Sequence, residues 1–131
     1  MSMMVEDLSA FLQADAGITT LAAGRVYPQS LPQKATLPAL VYQQIAGKTD
    51  TTLENAAQLA DELFQIACMA MSYKEAKQLS EKVRQALEGF KGTMGATVVL
   101  GIFAEAERDF YDPEQLEYRV DLDFKIWHRE P

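Results

Sequence analysis

The chain has 131 residues, 48% hydrophobic and 24% charged, the balance of a single folded domain spanning 1–131 with a core of its own. Twelve basic against nineteen acidic residues give a net charge of -7. That excludes free nucleic acid and an anionic membrane surface as expected partners, because both require a basic footprint.

No apolar run approaches the ~18 residues of a membrane helix. The opening "MSMMVEDLSAF" has neither a basic start nor a long apolar stretch, so it does not read as a signal peptide, and the cytoplasm is the expected place of synthesis. The one cysteine, Cys68, lies in the apolar run "LFQIACMA" and reads as a small buried hydrophobe.

Residues 4 to 14 predict a short helix, with Leu8, Phe11 and Leu12 on one face. Asp15 and Gly17 break it, and Ile18 to Ala23 add at most a helical turn before Gly24. "RVYPQSLPQKATLP" carries Pro28, Pro32 and Pro38 and predicts extended, irregular chain. A strand follows over Ala39 to Ile45. Gly47 to Asp61 has turn-rich composition and no period, and predicts a long connection. A second strand, Glu62 to Ala70, is apolar on both faces and so predicts a central or interface position.

The next helix is the best marked. Ser72 begins a capping box with Glu75; Ala76, Leu79, Ser80, Val83 and Leu87 form the inner stripe, and Gly89 supplies the stop. After "GFKGTMG", residues 96 to 107 predict a third strand and Leu116 to His128 a fourth. In the fourth, Leu116, Tyr118, Val120, Leu122, Phe124 and Ile126 point one way. Glu117, Arg119, Asp121, Asp123, Lys125 and Trp127 point the other. The expected fold is therefore α+β: a four-stranded, mainly antiparallel sheet with two helices packed on it, in the order α-β-β-α-β-β.

The carboxylates of "ERDFYDPEQLEYRVDLDF" are the first place to look for chemistry. Asp121 and Asp123 are two apart on a strand, hence on one side and roughly 6.5–7 Å from each other, a separation compatible with an inverting glycosidase pair. Arg119 and Lys125 flank them, however, and a charged outer or partner-facing strip is the expected reading. "DLDFKI" lacks the glycine and final glutamate of a calcium loop. His128 is the only histidine, too few for a His-rich metal site. The glycines of "GFKGTMG" match neither the dinucleotide nor the Walker pattern, and precede a strand. Apolar residues on both faces of the strands, with Trp127 among charges and Val99 and Phe103 alternating with Val98, Leu100 and Ile102, predict that one face meets another subunit. The alternative is that the first helix covers that face.

Three segments in order carry a resemblance: "GRVYPQSLPQKATLPALVYQQI" at 24–45, "YKEAKQLSEKVRQAL" at 73–87 and "GIFAEAERDFYDPEQLEYRVDLDFKIWHRE" at 101–130. Together they resemble the tail terminator, or tail completion, proteins of long-tailed bacteriophages and prophages. The resemblance implies a ring, usually a hexamer, that caps the tail tube, stops its polymerisation and offers a surface to the head-completion protein. It implies no enzymatic activity and no cofactor, and places the protein in the virion tail, with assembly in the host cytoplasm. Another head–tail connector or neck protein is the competing reading. From the residue pattern, the candidate subunit or tube interface is Glu117, Arg119, Asp121, Asp123, Lys125 and Trp127, with Lys48, Thr49, Asp50 and Glu54 of the long connection.

Overall fold

The computed structural model describes residues 3–50 and 59–129. Helix α1, Met3–Ala14, places Met4, Leu8 and Leu12 four residues apart on one stripe, and all three are fully buried. The chain turns at Asp15, whose carboxylate accepts from the Ile18 amide at 3.1 Å and caps a second helix, α2, Ala16–Ala22. Ala23, left-handed at φ 51°, ends α2. The expected single turn is thus a separate short helix, and Asp15 acts both as breaker and as cap.

Two segments expected to be irregular pair as strands. Strand β1, Val26–Pro28, lies parallel to the start of β2, Ala39–Asp50. Proline is tolerated there because β1 is an edge and its far side needs no ladder donor. Strand β4, Gly92–Met94, forms a tight hairpin with the start of β5, Thr97–Asp112. With β3, Leu59–Ala70, and β6, Glu117–Arg129, these make one six-stranded sheet in the order β1-β2-β3-β6-β5-β4. Only the β1–β2 pair is parallel. The expected four-stranded sheet with two helices is therefore corrected to a mixed six-stranded sheet with three helices. The long connection shrinks too: β2 and β3 stay paired out to Asp50 and Leu59. Only residues 51–58 of it lie outside the described residues.

Strand β3 sits between β2 and β6, the central position its two-faced sequence predicts. Helix α3, Tyr73–Leu87, starts where Ser72 accepts from the Glu75 amide at 3.2 Å. It buries Ala76, Leu79, Ser80, Val83 and Leu87, the expected stripe. The chain leaves it through Gly89, at φ +80°, whose amide donates to the Ile102 carbonyl at 2.9 Å.

Met4, Leu8 and Ile18 join Leu79, Val83, Phe64, Ile66, Leu122 and Phe124 in one core. All three helices thus cover the same side of the sheet, and α1 does not shield the opposite side, as the alternative reading had it. Leu116 is corrected as well. It does not open β6 facing the core, but holds a left-handed turn position at φ 54° and is 60% exposed. The turn before it is fixed by Asp112, whose Oδ1 accepts from the amides of Glu114 and Gln115 at 3.0 and 3.3 Å.

Candidate assembly surface

The helix-free side of the sheet carries the charged residues of β6. Successive side chains alternate across a strand, so burying Val120, Leu122, Phe124 and Ile126 beneath the helices sends Arg119, Asp121, Asp123 and Lys125 to the other side. There they do not stand free. Arg119 Nε lies 2.9 Å from Asp121 Oδ1, although the approach is too poorly aligned for a hydrogen bond. Arg108 of β5 grips Asp123 with both terminal nitrogens, each at 3.0 Å. Lys125 reaches Asp61 of β3 at 3.8 Å. The Arg119 guanidinium also stacks over Phe110, 4.4 Å from its ring centre. The strip is a ladder of ion pairs within one sheet.

Asp121 is the unusual member. It is only 3% exposed, and burial pushes its carboxyl above the ordinary aspartate value, against the pull of Arg119 and Arg108. It lines a groove of about 290 Å³ with Gln29, Val41, Gln43, Gln65 and Arg119. Gln43 donates to Gln65 across β2 and β3 at 3.0 Å. The lining holds one carboxylate, one guanidinium and amides; it supplies no nucleophile and no second free carboxylate. Asp123, the other half of the considered acid/base pair, is occupied by Arg108. Among the described residues no cluster of His, Cys, Asp or Glu could hold a metal ion.

The remaining candidates divide. Glu117 is half-buried at the start of β6 and lines a shallow surface cavity with Phe110, Tyr111 and Arg119. Trp127 is half-buried, opposite Gly101 of β5 and Asp61 of β3. The backbones of Lys48, Thr49 and Asp50 pair with Asp61, Ala60 and Leu59, so they belong to β2 and not to a loop. Glu54 lies outside the described residues.

Two polar clusters escaped the sequence reading. Lys77 of α3 bridges Glu107 and Asp109 of β5 at 2.5 and 3.0 Å, and Tyr73 donates to Asp109 at 2.8 Å. These bonds hold the Asp109 carboxyl below its ordinary value and the Lys77 ammonium above its own. Lys77 lies off the inner stripe of α3, and only the tertiary contact reveals its role. Buried under the helix-covered side, His128 Nε2 meets Glu62 Oε2. Both sit on the core parity of their strands, the one available signal, but they are 66 residues apart in the chain.

The described residues form a small α+β subunit with ion-paired polar strips and apolar groups left exposed near its sheet edges. The chain belongs to a phage family: the family model described as tail completion protein gp17 matches residues 6–129. Members are structural phage tail completion proteins, so this chain is a phage tail assembly protein and not an enzyme. Among solved structures, it is similar to a chain of a "Virion of native gene transfer agent (GTA) particle". The TM-score is 0.70 at 19% identity, covering 95% of this chain and 96% of that one. That likeness establishes the fold. No curated protein matches.

Proposed function

We propose that the chain is a ring-forming tail terminator. In this reading six copies cap the tail tube at its final length, stop its polymerisation and offer the surface on which the head-completion protein docks. Family membership across residues 6–129 carries the reading. The partners are then sister copies, the tail tube protein and the head-completion protein, with assembly in the host cytoplasm and residence in the virion tail.

A closed ring uses heterologous contacts, one patch of each copy against a different patch of the next. The outward strip of Glu117, Arg119, Asp121, Asp123, Lys125 and Trp127 is the proposed tube-facing or neighbour-facing surface, joined by Lys48, Thr49 and Asp50 at the end of β2, with Glu54 a further candidate from the sequence alone. Arg119, Asp121, Asp123 and Lys125 are already paired within the subunit. Such a surface contributes register and partner choice more than affinity.

Electron microscopy of lysates from phage lacking the gene tests the reading. Overlong tails, or finished tails that fail to join filled heads, are the expected result. Tails of normal length beside heads without necks would assign the chain to the head side of the junction instead. Normal virions would sink the proposal.

A further inference from the structure

The sheet ends in two free edges, and the geometry points to their being each other's partner across neighbouring copies. The inference rests on the ring reading above and specifies how the ring closes. Strand β1 covers only Leu40–Tyr42 of β2, and β4 covers only Thr97–Val99 of β5. The Gly89 amide, just before β4, takes the Ile102 carbonyl, so among the described residues the stretches with no strand on their outer side are Gln43–Asp50 and Phe103–Asp112. Each free stretch presents unpaired backbone donors and acceptors, the template for adding a strand. Each also carries a large exposed apolar side chain, Ile45 at 46% and Phe103 at 53%.

Direction and level both match. From β2 to β3, β6 and β5 the strand direction reverses three times, so β2 and β5 run opposite ways. Rotation about an axis along the strands preserves that relation. The β5 of one copy therefore meets the β2 of the next antiparallel, continuing the sheet. Following partners across the sheet, Gln43 is level with Gln65, Asp123 and Ala106, while Lys48 is level with Asp61, Trp127 and Gly101. Both free edges thus have open backbone at one height, Gln43–Ala46 against Phe103–Ala106.

Each free stretch also holds one register irregularity, between Gln44 and Ala46 and between Ala104 and Ala106. They fall at the same level, beside Phe64 and Phe124. Each strand gains one residue there, so the count between copies stays equal. Gln43 faces Ala106, Ile45 faces Ala104, and Ala46 faces Phe103.

Charge selects this pairing over the symmetric one. Phe103–Asp112 carries Glu105, Glu107, Asp109 and Asp112; Lys77 offsets Glu107 and Asp109, and Arg108 is taken by Asp123, which leaves Glu105 and Asp112 without an ion-pair partner among the described residues. Two β5 edges meeting each other would oppose those carboxylates. The β2 edge has no carboxylate between Ala39 and Lys48, so β5 meets it without that repulsion.

Disulfide trapping tests the register. Residues 45 and 104 of one copy are separated by three strand spacings, about 14 Å, beyond the ~7 Å that a disulfide spans. A bond between them must therefore join two copies. The doubly substituted chain Ile45→Cys, Ala104→Cys is oxidised mildly, at high concentration and in assembled tail particles, with unchanged circular dichroism as the check on folding. A ladder of covalent multiples is expected from it. None is expected from Ile45→Cys with Phe110→Cys, nor from either single variant. Oligomers seen by sedimentation without the 45–104 bond would overturn the edge pairing and leave the ring standing. Covalent dimers of Ala104→Cys alone would show β5 meeting β5 and also overturn it. A monomer at every concentration, free and with tube protein, would instead refute the ring and the pairing with it.

Discussion

Removing Arg119 and removing Asp121 should have unequal consequences, because the two partners differ in their access to water. The Asp121 side chain is 4% exposed and that of Arg119 is 41%. In Arg119→Met the carboxylate keeps its buried place and loses its nearest compensation. Stranding a buried charged acceptor costs about 1–3 kcal/mol. The fully buried limit of ~3–5 kcal/mol does not apply, because the lost partner is itself partly solvated. In Asp121→Asn the buried charge disappears and Arg119 turns to solvent, so the change stays within about 1 kcal/mol.

Urea unfolding measures both. With a slope of roughly 1–3 kcal/mol per molar for a small protein, a 2 kcal/mol loss moves the midpoint down by about 1 M. The pH dependence supplies a second reading. Burial raises the folded Asp121 above its ordinary value, so the folded state binds the proton more tightly than the unfolded chain does. Its contribution to stability is then present below the unfolded pKa of about 4 and is lost as pH rises through the folded value. Asp121→Asn should therefore gain on the parent chain as pH climbs out of that window, and Arg119→Met should fall further behind. A parent chain that loses more stability from Asp121→Asn than from Arg119→Met at pH 7 would refute the reasoning. The pair would then be a net attraction and not a compensated burial.

Gly95 sits at φ +61°, and a Cβ there would stand 2.2 Å from Asp7 Oδ1, a carboxylate held by the Thr97 hydroxyl at 2.5 Å. Gly95→Ala should cost about 1–3 kcal/mol, more than Gly24→Ala, whose φ is +79° but whose site has nothing within 4 Å. Equal melting temperatures for the two variants would count against the Asp7 contact. The Cys68 thiol is fully buried, and burial with help from Asp121 and Glu107 pushes its pKa up. A thiol reagent at pH 8 should modify it only as fast as the chain unfolds, and rapid reaction of the native protein would refute its burial.

The elements with an unbroken period were legible in the sequence. The stripe of α3 is buried along the helix and the core face of β6 is buried from Val120 to His128, so the pattern survives in the letters. Strand β5 was only partly legible because its register shifts between Val99 and Gly101, which puts both Val99 and Ile102 in the core. An odd and an even residue on one face cannot be read as period two. Its last stretch, Phe103 to Asp112, is exposed on both faces, and so carries no burial signal at all. Strands β1 and β4 have three residues each, too few for a pattern, and form only because longer neighbours offer them a ladder. The charged strip was placed correctly on one side of β6, but not its pairing. Arg108 and Asp61 come from other strands, and sequence spacing cannot rank them as partners for Asp123 and Lys125.

An assembly subunit must hold edges open for its partner while staying unattractive to every other edge, and this sheet does both by local means. The three-residue strands β1 and β4 shorten the open backbone at opposite ends of the sheet. The register irregularities bend what remains, so that a flat foreign strand fits neither edge. Glu105 and Asp112 of β5 penalise self-pairing, while Lys77 neutralises Glu107 and Asp109 from the helix side. The cost of that arrangement is an edge with Phe103, Phe110 and Tyr111 exposed in the isolated chain. Apolar groups so placed gain nothing until another surface covers them. The free energy for assembly is thereby held at the edge that the charges reserve for one kind of neighbour.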